Sequence, residues 1–153
     1  MLGIPLLFCS CSSLADYSGK VVRVIDGDTV AVLVRNDMKR VRLEGIDAPE
    51  SKQAYGNASK QSLLALVAQK EVFVSSSKVD RYGRDLGTLF INGQDINAIQ
   101  ISTGMAWAYR FKGVPTNRSY VALESKAKEA GLGLWSDKNA VEPWEWRKAK
   151  KGD

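Results

Sequence analysis

Apolar and polar positions alternate in short runs along the first third of the chain, then shift to a helical period near residue 57. Residues 21–25 read as a strand, Asp26-Gly27-Asp28 as a tight turn and residues 29–34 as the return strand. An Asp-Gly pair between apolar runs is a good hairpin signal. Asn36-Asp37 marks the next turn, and residues 39–46 form a third strand that Pro49 ends. Residues 57–70 predict a helix with Leu63, Leu66 and Val67 on one face. Residues 71–75 and 86–91 are two further strands, with Asp80 to Arg84 looping between them. Asn92-Gly93 is a turn, and Asp95 caps a helix over 96–103 that Gly104 ends. Asn117 caps a third helix, with Tyr120, Leu123 and Ala127 inward, closing at Gly131.

The pattern is α+β and mainly β: a five-stranded OB-type barrel with three helices. Such a barrel commonly offers a face to nucleic acids or oligosaccharides, but the fold alone gives no function. The chain divides into an N-terminal segment 1–15, one domain over 16–147 and a basic tail over 148–153. Trp135 is expected in the core, and Trp144 and Trp146 to pack the tail onto the barrel. Lys148, Lys150 and Lys151 read as a solvated end, with nucleic-acid contact as the second reading.

The net charge of +5 favours polyanionic partners, either nucleic acid or an anionic membrane surface. Histidine is absent, which excludes Ser-His-Asp and Cys-His mechanisms. Proton transfer falls to carboxylates, Lys or Tyr, and a metal would take oxygen ligands, as Ca²⁺ and Mg²⁺ do. Both cysteines, Cys9 and Cys11, lie in the first dozen residues, so the body of the chain needs no disulfide. The apolar run Met1 to Phe8, followed by small residues to Ala15, resembles an export signal, with a cut before Asp16. Phe8-Cys9-Ser10-Cys11 loosely resembles a lipobox, in which a lipidated Cys11 would give membrane attachment. The expectation is an exported protein (secreted, periplasmic or anchored), and a cytoplasmic one if the segment is no working signal. A monomer is the default.

The candidate chemistry clusters at strand ends. Asp28 follows the first turn and Asp47 ends the third strand; if those strands are neighbours, both carboxylates converge on one cation. Asp26 reads equally as a turn-former. Glu50 lies just past Pro49, on a loop that the proline stiffens, where it can act as a general base. Arg42 and Arg84 offer planar forks to phosphate oxygens, and Arg81 adds a surface cation. Tyr82 and Tyr109 offer stacking faces or hydroxyls to a bound nucleotide.

Five ordered motifs then stand out: Ile25-Asp26-Gly27-Asp28-Thr29-Val30, the run from Arg42 to Glu50, Asp80-Arg81-Tyr82-Gly83-Arg84, Gly104-Met105-Ala106 and Gly133-Leu134-Trp135. From about Val21 to Trp135 the chain resembles the staphylococcal nuclease-like family. The resemblance implies an OB-type barrel and a Ca²⁺-dependent phosphodiesterase acting on DNA and RNA, leaving 3′-phosphate and 5′-hydroxyl ends. By the same resemblance Asp28 and Asp47 match the calcium carboxylates. Ala48 stands at a threonine position that binds calcium through its backbone carbonyl. Glu50 matches the general base, and Arg42 and Arg84 the catalytic arginines. Arg81, where the best-known member has lysine, and Tyr82 and Tyr109 match nucleotide-binding positions, Tyr109 across a one-residue gap. The alternative is a non-catalytic nucleic-acid-binding barrel, whose mark would be loss of part of the set formed by Asp28, Arg42, Asp47, Glu50 and Arg84. All five are present.

Overall fold

The computed structural model describes residues 16–152. The expected leader at 1–15, with Cys9 and Cys11, lies outside the described residues, as does Asp153. Strands β1 (Tyr17–Asp26), β2 (Thr29–Val34) and β3 (Asp37–Leu43) form an antiparallel meander, followed by the two-residue β4 (Ile46–Asp47). Helix α1 (Gly56–Val67) leads to β5 (Glu71–Val79), β6 (Asp85–Ile91) and the short β7 (Gln94–Asp95). Then come α2 (Ile96–Ser102), β8 (Trp107–Ala108), β9 (Arg110–Phe111), β10 (Val114–Pro115), α3 (Arg118–Glu129), a 3₁₀ turn (Gly133–Ser136) and α4 (Pro143–Lys151).

The sheet runs β3-β2-β1-β5-β6-β7, and β3 also pairs with β6 in parallel, Arg42 opposite Leu86. That pairing closes the five long strands into a barrel, as the alternating sequence predicts, and removes their free edges. The β1–β2 ladder shifts register after Val21 and again after Val24. Bulges of this kind bend a strand and re-aim its side chains, and the second sits just before the Asp26–Asp28 turn. Valines and leucines from alternate strand positions fill the interior, among them Val21, Val30, Val41, Leu43, Val74 and Leu89, and Leu63 and Val67 of α1 close one end.

Several features depart from the sequence reading, among them the end of α1 at Val67 rather than residue 70. The third strand ends at Leu43 rather than at residue 46, because Gly45 turns the chain with φ of 79°. A Cβ there would also meet the ring of Tyr120 at 2.8 Å, so both conformation and space call for glycine. Residues 46–47 consequently pair with β8 instead of continuing β3. Strand β5 runs on to Val79, beyond the expected residue 75. A fourth helix, α4, occupies what reads as a tail, and the division drawn at 147/148 falls inside it. Its Trp residues alternate with charges and give no apolar stripe. Pro143 in its first turn, Glu145 after it and lysines in its last turn are nonetheless the pattern of a helix with complemented ends.

Trp144 packs this helix onto the barrel as expected, edge-on to Trp107 with centroids 5.8 Å apart. Trp135 is half-buried rather than core, and stands edge-on to Trp107 at 4.4 Å. The ammonium of Lys128 lies over both of those rings, 5.2 Å from Trp107 and 4.5 Å from Trp135.

Candidate active site

The β3–β6 closure places Arg42 beside the loop that leads into β6, and so brings two distant motifs to one rim of the barrel. A cleft of about 530 Å³ opens there. Asp28, Arg42, Asp47, Glu50, Arg81, Tyr82, Arg84 and Tyr109 all line it. Ala48 is buried behind it, and its amide donates to Asp28 Oδ2 at 2.8 Å.

Asp28 is set by the turn beneath it. Gly27 lies against Ser59 of α1, with no room for a side chain, and the buried Gln100 of α2 donates to the Gly27 carbonyl at 2.9 Å. Thr29 Oγ1 donates to Asp28 Oδ1 at 3.0 Å. Asp47 is set by β8, opposite Trp107. That pairing is held in turn by Glu124 of α3, whose carboxylate accepts from the Ala108 amide at 2.6 Å and from Arg110 at 2.8 Å.

Arg42 joins the two aspartates. Its Nη2 lies 3.3 Å from Asp28 Oδ2 and 3.4 Å from Asp47 Oδ1, while Nη1 donates to the carbonyls of Leu43 and Ile46. Arg84 is held more loosely. Its Nε donates to Asp80 Oδ2 at 2.8 Å, and among the described residues its Nη atoms make no hydrogen bond. Asp80 Oδ1 also accepts from the amides of Tyr82 and Arg84, which fixes the loop. Tyr82 projects to solvent, with Arg81 over its ring at 4.8 Å and Arg84 at 5.4 Å. The Tyr109 amide donates to the Gly45 carbonyl, which ties that segment to the β3–β4 turn.

The electrostatics of the aspartates are unusual. Burial disfavours the charge on Asp28, but Arg42, the Asp26 contact, the Ala48 amide and the Thr29 hydroxyl outweigh it and hold this carboxyl below its ordinary range. Asp26 is pushed up to about 7 by burial and by the charge of Asp28 beside it. Burial also raises Asp47, opposed by Arg147 and Arg42. Three carboxyls thus share one corner, with the guanidinium of Arg42 between two of them and that of Arg147 on the third side. Among the described residues, no three acidic, histidine or cysteine groups are placed to hold a metal by themselves. Two buried carboxylates with no histidine or cysteine beside them still fit a hard dication that completes its shell with backbone carbonyls and water.

Comparison with known sequences decides the family. Residues 40–137 match the model of the family described as staphylococcal nuclease homologue. The chain belongs to the staphylococcal nuclease family. It is 48% identical over 155 residues to a protein named micrococcal nuclease from Shigella flexneri, covering 95% of this chain and 89% of that one. It is 43% identical over 154 residues to Protein ParB from Escherichia coli, covering 95% and 87%. An uncharacterized endonuclease from Haemophilus influenzae is 41% identical over 133 residues, covering 86% and 74%.

Arg147 is a charged residue of the cleft that the sequence did not single out. Arg147 of α4 reaches back across the rim, beyond the region that the family model matches. Its Nη2 donates to Asp47 Oδ2 at 2.7 Å, and its Nη1 to Asp47 Oδ1 at 3.2 Å and Glu50 Oε1 at 2.7 Å. Lys151, one turn further on, also lines the cleft. The Pro143 helix start, with an arginine on the turn after Trp144, was the available signal. Nothing local could show that this turn faces residues a hundred positions earlier.

Proposed function

We propose that this protein is a calcium-dependent nuclease that hydrolyses phosphodiester bonds of DNA and RNA, leaving 3′-phosphate and 5′-hydroxyl ends. The observation that carries this reading is the convergence of Asp28, Arg42, Asp47, Glu50 and Arg84 on one cleft. A non-catalytic barrel would have no use for the complete set.

Asp28 and Asp47 would hold the cation, with the Ala48 carbonyl as the third protein ligand. Calcium there supplies positive charge to a phosphoryl oxygen and a place for water beside it. Glu50 is half-exposed at the cleft, and among the described residues its Oε2 has no hydrogen-bond partner. It is free to take a proton from, or orient, an attacking water. Arg84 presents two unengaged Nη groups to the charge that develops on phosphorus. Arg42 is more firmly tied, and its contribution to the phosphate comes as it shares its fork between aspartate and substrate. Arg81 and exposed Tyr82 give the flanking nucleotide a cation and a stacking face.

The test is digestion of single- and double-stranded DNA and of RNA with Ca²⁺, Mg²⁺ or chelator, alongside Glu50→Gln. Calcium-dependent cutting that Glu50→Gln loses by about a hundredfold or more supports the assignment. Binding without cutting would make this a recognition module instead. We also propose export through residues 1–15, which N-terminal sequencing of the mature protein checks; lipidation at Cys11 would show as a lipid-modified N-terminus. Among the described residues no helix is long and apolar enough to cross a membrane.

A further inference from the structure

Arg147 has no part in the chemistry just described, yet it makes the shortest ionic contacts in the cleft. Both oxygens of Asp47 accept from it, and the same guanidinium bridges to Glu50. We propose that Arg147 is an internal counter-ion that competes with the divalent metal for Asp47, so that the C-terminal helix and the metal are negatively coupled. The inference rests on the metal reading above.

The argument is one of lone pairs and charge. A carboxylate has about four lone-pair sites on its two oxygens, and a bidentate guanidinium takes one on each. Arg42 engages Asp47 Oδ1 as well. A dication that binds through Asp47 must then share an oxygen with Arg147 or displace it, and in either case it approaches a fixed positive charge at close range. Reciprocity follows from linkage: whatever Arg147 costs the metal, the metal costs the docking of Arg147.

The helix is built as an arm that can give way. One end is fixed, because Trp144 packs on Trp107 and Gln53 Nε2 donates to the Val141 carbonyl at 2.7 Å. The other end is exposed: Lys148 and Lys150 face solvent, and the pair of Lys148 with Glu145 is itself exposed. Pro143 is the only buried residue among those of α4. Trp144 and Trp146 are only half-buried, so releasing the Arg147 turn uncovers part of one indole and leaves the barrel core, to which no residue of α4 belongs, intact.

The test is a calcium titration by calorimetry on the full chain, comparing the unaltered protein with Arg147→Gln, Trp144→Ala and, as a control for the site, Asp47→Asn. Arg147→Gln is expected to bind calcium about five- to tenfold more tightly, and Trp144→Ala, which loosens the arm without touching the guanidinium, to shift the same way by less. Hydrogen exchange supplies the reciprocal reading: calcium should speed exchange of amides in residues 145–151 of the unaltered protein and leave the barrel strands unchanged. Equal or weaker calcium binding by Arg147→Gln overturns the proposal while leaving the metal site standing. Calcium binding in neither protein overturns the metal reading, and this proposal with it. Calcium binding that survives Asp47→Asn unchanged places the metal elsewhere and likewise overturns it.

Discussion

The two arginines that flank the cleft are held in opposite ways. Arg42 lies on a barrel strand, with its guanidinium fastened to two carbonyls and two buried aspartates. Arg84 sits at the end of a turn, with one nitrogen on Asp80, its guanidinium beside the Tyr82 ring and its two Nη groups without a hydrogen bond among the described residues. The first is part of the frame that keeps two buried carboxylates close together; removing it would leave like charges facing each other in a poorly solvated corner. The second is a free hand on a fixed wrist. One cleft thus has a rigid inner wall, set by strand closure, and an outer wall of loop and helix whose side chains range from half-buried Arg84 and Arg147 to exposed Arg81 and Tyr82. Rigid placement suits charges that must be fixed before the reaction, and exposed ones suit a polymer that slides through.

The sharpest way to break this comparison is to remove each arginine in turn. Arg84→Ala should lower kcat by about 10²- to 10³-fold, the range for losing one transition-state donor, with its melting temperature nearly unchanged. Arg42→Ala should lose comparable activity and also melt several degrees lower, by about 2 kcal/mol or more for the uncompensated aspartates. Thermal melts beside turnover assays read both; equal melting of the two variants would erase the distinction.

Support for the inner wall is tested next at Glu124, which fixes β8 and through it Asp47. Arg110, Lys128 and the Ala108 amide overcome burial and hold its pKa below the ordinary 4.5. A carboxyl depressed by folding stabilises the fold above its unfolded pKa, and that stability is lost as pH falls through the folded value. Glu124→Gln should cost about 3 kcal/mol near neutral pH, where it leaves Arg110 without its partner. The gap to the unaltered protein should narrow as pH drops below about 4.5, in urea melts taken across the acid range. A gap that stays constant with pH would mean that the charge of Glu124 is not what holds β8.

The smallest effect belongs to the outer wall. Tyr82→Ala should raise KM for single-stranded DNA severalfold, in line with about 1 kcal/mol for a lost stacking face. Its stability should stay within about 0.5 kcal/mol, since the ring is exposed. A fall in kcat with KM unchanged would instead make Tyr82 part of the chemistry.

Much of this architecture is legible along the chain because it is local. The Asp26-Gly27-Asp28 turn, the Asp95 and Asn117 caps and the alternation of β2 each depend on neighbours within a few residues. The structure shows Asp95 accepting from the Ala98 amide and Asn117 from the Ser119 amide, as their side chains require. The long strands and their hairpins follow from period and turn chemistry. The same locality explains what was missed. The two-residue β4 is too short to carry a pattern, and it exists because Gly45 turns the chain toward a partner sixty residues away. Helix α4 lacks a continuous apolar stripe, since it rests on the rest of the molecule through buried Pro143 and the half-buried Trp144 and Trp146.

The sequence by itself determined which charged groups were available and on which turns and strands they sit: no histidine, five separated acidic and basic residues, and the loops that carry them. Only the tertiary structure decided that they meet. Closing β3 onto β6 sets Arg42 near Arg84, and β8 with Glu124 behind it sets Asp47 against Asp28. It also decided that Arg147, next to the basic tail in sequence, has both oxygens of Asp47 as its partners. The physical reason is that period and propensity act over a few residues, whereas the desolvation and pairing of charge depend on separations in space that no stretch of sequence encodes alone.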